Sequence, residues 1–310
     1  MVGYRAKHTH SYEEVEKEFL KHHPQGDVAY LKKAHVFATK SHEGQFRRSG
    51  DPYITHPTAV GFILAENKLD IVTIASGFLH DVIEDCHVEF DDLAKAFGKD
   101  LASIVEGVTK IGKVRFRDKQ QAQAENYRKM ILAMSRDIRV LIVKLADRSH
   151  NMATLGSMPE EKRHRISQET LDIFAPLAHR IGMSYFRNEL ERLAFKNLEE
   201  DAYRELDNLI TEKEKNSRGF LEHIGVELNR LLTENDVQAH TSSRIKSHFS
   251  IYKKMKSKKC GLDGLYDYYA LRIITDSVLN CYKIFGVLHG RWRHVPHRIK
   301  DFIATPKSNL

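Results

Sequence analysis

The run Gly77-Phe78-Leu79-His80-Asp81-Val82-Ile83-Glu84-Asp85-Cys86 sets a histidine and three carboxylates into an otherwise apolar segment. Ionised groups are costly in such surroundings unless something positive compensates them, and a metal ion is the simplest compensation. Read as a helix, the segment puts His80 one turn from Glu84 and Asp81 one turn from Asp85. The four then share one sector of the surface while Phe78, Leu79, Val82 and Ile83 face a core. Crowded carboxylates repel one another and are pushed toward protonation, a penalty that a divalent cation on His80 and Asp81 would reverse. Glu84 and Asp85, a turn further on, would be free to handle protons and water.

Two more residues complete a donor set. His56 precedes Pro57, which puts it at the expected cap of a helix. Asp147 lies on a polar stripe with Lys144, Asn151 and Thr154, on a helix expected from Asp137 to about Met152 whose apolar stripe is Ile138, Leu141, Ile142 and Leu145. His56, His80, Asp81 and Asp147 thus offer two imidazoles and two carboxylates from three helical elements, a complete N/O set for a divalent transition ion. Mn²⁺ suits this hardness best, although zinc or iron would bind as well. Such an ion lowers the pKa of its water and polarises phosphoryl oxygen, so the matching chemistry is hydrolysis of a phosphate ester or anhydride. Glu84 and Asp85 read as the catalytic pair that orients or deprotonates the water. Each residue alone would pass for a surface ion pair or a cap; in a chain with 18 histidines only the constellation counts. Cys86 and His87 suggest a rival thiolate site but lack a second cysteine nearby.

The elements that must position these residues are mostly helical. From about residue 11 to 200 the apolar period is 3.6, which predicts an all-α domain, with a turn at Ser49-Gly50-Asp51-Pro52. The basic stretch 110–121, KIGKVRFRDKQQ, reads as a loop between helices, either a plain connector or a gate. Between Ser184 and about Glu234 charges dominate, with leucines spaced for small packed helices. Tyr266 to Thr275 is rich in β-formers and predicts a strand, and Cys281 to Trp292 an amphipathic helix, so a second, α/β domain begins there.

Composition narrows the classes. A chain of 310 residues with 41% hydrophobic residues has room for two cores. No stretch approaches the ~20 apolar residues of a membrane span, and the polar N-terminus lacks a signal-peptide core, so no membrane partner and a cytoplasmic location are expected. Three cysteines without CxxC spacing fit a reducing compartment. The net charge of +7 favours polyanions: nucleotides, pyrophosphates or RNA. Walker A, GxGxxG and GxSxG patterns are missing, which sets aside P-loop, Rossmann and serine-hydrolase chemistry.

The chain resembles the N-terminal catalytic half of the RelA/SpoT-type bifunctional (p)ppGpp synthetase/hydrolases. The blocks that carry the resemblance are HEGQFRRSGDPYITHP (42–57), HDVIED (80–85), FGKDLASIVEGVTKI (97–111), NYRKMILAMSRDIRVLIVKLADRSHNMATL (126–155) and ETLDIFAPLAHRIGM (169–183). It implies a mainly α fold: an HD-type hydrolase domain over 1–198, a helical spacer over 199–235, and a partial nucleotidyltransferase-like α/β synthetase domain over 236–310. It implies that His56, His80, Asp81 and Asp147 hold Mn²⁺ and that Glu84 and Asp85 serve the attacking water. Arg47, Arg48 and Ser49 would line the nucleotide pocket, with Asn151 and Thr154 on the opposite wall. The implied reaction removes the 3′-pyrophosphate of ppGpp or pppGpp, leaving GDP or GTP; the intact HDVIED element argues that hydrolysis is preserved.

The second domain resembles the start of the family's synthetase through SSRIKSHFSIYKKMKSK (242–258), LYDYYALRIIT (265–275) and PHRIKDFIATPKSN (296–309). This implies Asp267 as a Mg²⁺ ligand and Arg244, Lys246, Lys254, Lys300 and Lys307 as contacts to ATP and acceptor phosphates. The family's guanine-stacking tyrosine and catalytic glutamate would lie beyond Leu310, and His297 stands where glycine is usual. Pyrophosphate transfer is therefore expected only of a longer parent, and no ribosome contact is expected of this fragment. Two other readings remain: an HD-type phosphohydrolase of another nucleotide, and a catalytically idle module that binds nucleotide or RNA.

Overall fold

The computed structural model describes residues 9–112, 137–265, 268–295 and 297–307. The chain divides into two compact units, one ending at Glu200 and the other running on from Asp201. In the first, among the described residues, every regular element is helical: Tyr12–His22, Val28–Ser41, Thr55–Glu66, Ile71–Leu79, Val82–Asp85, Phe90–Phe97, Lys99–Gly112, Ile138–Ala153, Glu160–Glu169, Ala175–Arg180 and Ser184–Leu198, with shorter 3₁₀ and π turns between residues 155 and 174. One isolated β-bridge, Phe46 to Pro52, closes the turn around Gly50.

Local chemistry starts these helices where they start. Ser11 and Glu14 form a reciprocal capping box, and Asp27, Asp70 and Asp137 each accept a backbone N–H of the first turn. Each such cap is worth about 1 kcal/mol. Packing then takes over. One continuous core runs from Val15 and Phe19 through Leu64, Phe78 and Leu141 to Phe186 and Leu190, and burying each large side chain contributes about 1.5–3 kcal/mol.

Two glycines set the crossing of the helices that carry His56 and His80. A methyl group on Gly61 would collide with the Phe78 ring, and one on Gly77 with the Leu64 side chain. Only hydrogen at both positions lets helix Thr55–Glu66 and helix Ile71–Leu79 approach so closely.

The structure corrects four local expectations. Residues 77–86 are not one helix: the first ends at Leu79, His80 and Asp81 form a turn, and Val82–Asp85 is a separate single turn. Helix Thr55–Glu66 starts two residues earlier than Pro57 suggests, with Ile54 at the cap and His56 inside the first turn. Pro57 is tolerated there because the N–H groups of a first turn have no partner in the helix anyway. Residues 110–112 of the expected loop are the last turn of helix Lys99–Gly112, and 113–121 lie outside the described residues. Where small packed helices were expected between Ser184 and about Glu234, helix Ser184–Leu198 is followed by Glu200–Glu234, one helix of 35 residues.

That long helix belongs to the second unit, where Leu228 and Leu232 form a small core with Val237 and Ile284, backed by Ala239, Ile273 and Leu288. Strand β1 (Ala239–Ile245) pairs antiparallel with β2 (Tyr269–Thr275), in a register from Ala239 opposite Thr275 to Ile245 opposite Tyr269. Helix His248–Lys258 connects them, and helix Val278–Arg291 follows. Polar β1, AHTSSRI, was not legible as a strand because its ladder partner rather than its own pattern makes it one. His297 has φ +60°, the left-handed region in which a glycine would carry no strain. Among the described residues no helix is long and apolar enough to cross a membrane.

Candidate metal centre

Three helical elements deliver their donors to one buried point. His56 comes from the first turn of helix Thr55–Glu66, His80 from the end of helix Ile71–Leu79, and Asp147 from the third turn of helix Ile138–Ala153. One ligand atom from each lies within 4.8 Å of the other two. Asp147 Oδ1 is 3.2 Å from His56 Nε2 and 3.8 Å from His80 Nε2; Asp81 Oδ2 is 3.1 Å from His80 Nε2 and 3.7 Å from His56 Nε2. His80 is only 1% exposed and Asp147 5%.

The ring nitrogens facing away from this point are already committed. His80 Nδ1 bonds the Gly77 carbonyl oxygen at 2.8 Å, and so must donate. His56 Nδ1 lies 2.8 Å from His150 Nδ1. A histidine whose far nitrogen donates presents a lone pair at the near one, the usual arrangement of metal-bound imidazole. His80 Nε2 is buried and, among the described residues, has no hydrogen-bond partner despite two carboxylates nearby. The donor set and this orphaned nitrogen fit a divalent cation at the shared point.

Electrostatics show the same demand for positive charge. Burial opposes a proton on His80, but Asp81 and then Asp147 outweigh it and push its pKa up to about 9. Burial dominates at His56 and lowers it. Asp81 is held below the carboxylate range against burial, chiefly by His80, and Asp147 well below it, chiefly by Lys144 and the two imidazoles. The expectation that crowding would drive the carboxylates of the 77–86 run toward protonation is therefore corrected for Asp81. Lys144 Nζ, 2.8 Å from Asp147 Oδ2, supplies positive charge that the sequence argument had assigned to a metal alone, and its own pKa is raised by Asp147 against burial.

One side of the centre is wet. Glu84 and Asp85 are both exposed on the short turn beyond Asp81. Asp85 Oδ2 accepts from the Tyr53 hydroxyl at 3.0 Å, and Asp81 Oδ2 lies 2.8 Å from the same hydroxyl. Burial, reinforced by these two carboxylates, keeps the phenol protonated far above its ordinary range.

Arg47 is half-buried and already engaged: Nη2 donates to Asn151 Oδ1 at 2.9 Å and Nη1 lies 3.1 Å from His150 Nδ1. Asn151 Nδ2 in turn donates to Asp147 Oδ1 at 2.5 Å. Arg47 and Asn151 are thus joined directly, in one chain of hydrogen bonds that ends on Asp147. Arg48 is exposed, Ser49 donates to Asp51 Oδ2 at 2.8 Å, and Thr154 Oγ1 bonds back to the His150 carbonyl at 3.0 Å.

In the second unit the basic residues come from several elements. Lys246 donates its backbone N–H to Tyr268 O at 2.9 Å, Lys254 lies on helix His248–Lys258, and Lys300 is exposed. Lys307 Nζ sits 4.6 Å from the centroid of the Phe302 ring. Arg244 pairs through its backbone with Ala270 in the ladder; its side chain, like Asp267, lies outside the described residues.

Sequence reasoning passed over Tyr53 and His150. His150 carried a signal, three residues after Asp147 on one helix, the spacing that shares a helix face; Tyr53 lies in the turn before helix Thr55–Glu66, where helical spacing gives none. Replacing His150 with alanine removes the partner of His56 Nδ1; a 10- to 100-fold loss of metal affinity in a titration is the expected cost.

Comparison with known proteins agrees with this geometry. Residues 34–184 match the HD domain family, and residues 243–310 match the region found in RelA / SpoT proteins. The bifunctional (p)ppGpp synthase/hydrolase SpoT of Escherichia coli (strain K12) is 46% identical over 286 residues, covering 92% of this chain and 41% of that protein. The guanosine-3′,5′-bis(diphosphate) 3′-pyrophosphohydrolase of Vibrio cholerae is 45% identical over 299 residues, covering 96% and 42%. A GTP pyrophosphokinase of Myxococcus xanthus is 44% identical over 292 residues, covering 93% and 39%. The chain therefore spans about two fifths of the length of the curated relatives it matches. An HD domain followed in order by a RelA/SpoT region, at this level of identity across nearly its whole length, means that the chain belongs to the RelA/SpoT-type (p)ppGpp synthetase/hydrolase family.

Proposed function

We propose that the first unit hydrolyses (p)ppGpp, removing the 3′-pyrophosphate and leaving GDP or GTP, with Mn²⁺ as the metal. The single observation that carries this is the buried convergence of His56, His80 and Asp147 on one point, with Asp81 beside both imidazoles. The names of the relatives from Escherichia coli O157:H7 and Vibrio cholerae, both 3′-pyrophosphohydrolases of guanosine-3′,5′-bis(diphosphate), support the choice of substrate.

These four residues would hold the ion, which when bound supplies an acidified water and polarises the phosphoryl oxygen. Asp85 and Glu84, both exposed, would orient the attacking water, and one of them would accept its proton. Exposed Arg48, with Arg47 once it exchanges Asn151 for phosphate, neutralises the diphosphate; a planar guanidinium suits two phosphoryl oxygens at once. Ser49 and Thr154 complete the polar rim. Lys144 holds Asp147 ionised and turned toward the shared point.

The second unit, by the same proposal, is the synthetase portion: Lys246, Lys254, Lys300 and Lys307, with Arg244 and Asp267, serve phosphates and Mg²⁺ there. The proposed boundaries are 1–198 for the hydrolase domain, 199–235 for the spacer and 236–310 for the synthetase portion.

Purified protein, stripped of metal by chelation and resupplied with Mn²⁺, is expected to release GDP and pyrophosphate from ppGpp. No turnover with metal restored, or a preference for deoxynucleotides or cyclic nucleotides, sinks this reading.

A further inference from the structure

Tyr53 belongs neither to the proposed ligands nor to the acids that serve water, yet its hydroxyl touches one of each. Its oxygen lies 2.8 Å from Asp81 Oδ2 and 3.0 Å from Asp85 Oδ2. A phenol carries one proton, which it shares between the two carboxylates or donates to each in turn. The two anions are held side by side across it.

The ring cannot swing away from them. His42 stacks on it at 4.6 Å and 25°, and His56 meets its edge at 6.1 Å and 83°. The Tyr53 N–H donates to Gln45 O at 2.9 Å, and its carbonyl accepts from the His56 N–H at 3.0 Å. Gln45 in turn donates from Nε2 to the Asp85 carbonyl at 3.3 Å, and its Oε1 is 2.8 Å from His42 Nδ1. Asp85 is thus tied to the 42–56 segment through both side chain and main chain. It needs these ties, because Val82–Asp85 is a single helical turn, and one turn has little stability of its own.

We propose that Tyr53 is a positioning residue of this centre, its hydroxyl tying Asp85 to Asp81 so that the carboxylate serving the attacking water keeps a fixed place beside the metal. The proposal rests on the ligand assignment given above.

Two measurements on the whole chain test it. The first uses neither metal nor substrate: melting of the chelated protein for the parent, Tyr53→Phe, Asp85→Ala and the pair together. Tyr53→Phe keeps the ring and its packing; it is expected to lower Tm by about 2–4 °C in the parent and by less than half as much beside Asp85→Ala. Equal shifts in both backgrounds overturn the tie. The second compares Tyr53→Phe with the parent in Mn²⁺-dependent ppGpp hydrolysis. kcat is expected to fall about 10- to 100-fold while KM and the Mn²⁺ concentration for half activity stay within about twofold. An unchanged kcat, or a rise in KM of the same size, overturns the positioning role. Should the parent fail to hydrolyse ppGpp, the functional reading falls and the melting cycle alone decides whether Tyr53 holds Asp85.

Discussion

Replacing Asp147 with asparagine is expected to cut hydrolysis by at least about 10³-fold in kcat/KM and to abolish tight metal binding. The size follows from what the ion contributes: polarisation and water activation are worth several kcal/mol, and each 1.36 kcal/mol is a factor of ten. Among the proposed ligands, Asp147 is the one whose loss cannot be covered. Its Oδ1 stands 3.2 Å from His56 Nε2, and its Oδ2 is the 2.8 Å partner of Lys144. Asparagine keeps the shape and the ability to accept from Asn151 but leaves the Lys144 ammonium without its anion. The metal-free variant should therefore also be less stable, by about 2 kcal/mol, in urea unfolding. Metal content by elemental analysis, ppGpp turnover and the unfolding midpoint together check the prediction. A variant that still binds metal and turns over at the parent's rate removes Asp147 from the site.

The second large effect belongs to Asp85. Asp85→Asn is expected to lower kcat by about 10²- to 10⁴-fold, the usual contribution of a positioned general base, while metal content stays that of the parent. The two variants differ because Asp147 is buried beside both imidazoles whereas the Asp85 carboxylate is exposed and meets Asp81 across the Tyr53 hydroxyl. Loss of metal from Asp85→Asn, seen by elemental analysis, would make Asp85 a ligand rather than a base.

Much of this centre was legible in the residues themselves. His80 and Asp81 announced themselves as polar groups that an apolar segment would not carry without cause, and Asp147 by its place on a polar stripe of a buried helix. The helical character of residues 11–200 was legible for the same reason: a 3.6-residue apolar period is written into the chain and needs no partner to be read. What stayed hidden depended on partners distant in sequence. Arg47 looked like a free phosphate ligand, yet Asn151, 104 positions away, occupies it. His150 looked like one histidine among many until His56 was found against it. Strand β1 has no pattern of its own and exists because β2 offers a ladder.

The break at His80 and Asp81 makes the division plain. Amino-acid order alone determined which side chains could bind a cation, because donor type, charge and local spacing are properties of the chain. Tertiary structure decided where those donors point: Gly61 and Gly77 let two helices close until His56 and His80 meet, the helix ends at Leu79, and Lys144 keeps Asp147 ionised in the interior. Direction and local dielectric are set by contacts between segments far apart in sequence, and no pattern within a single helix encodes them.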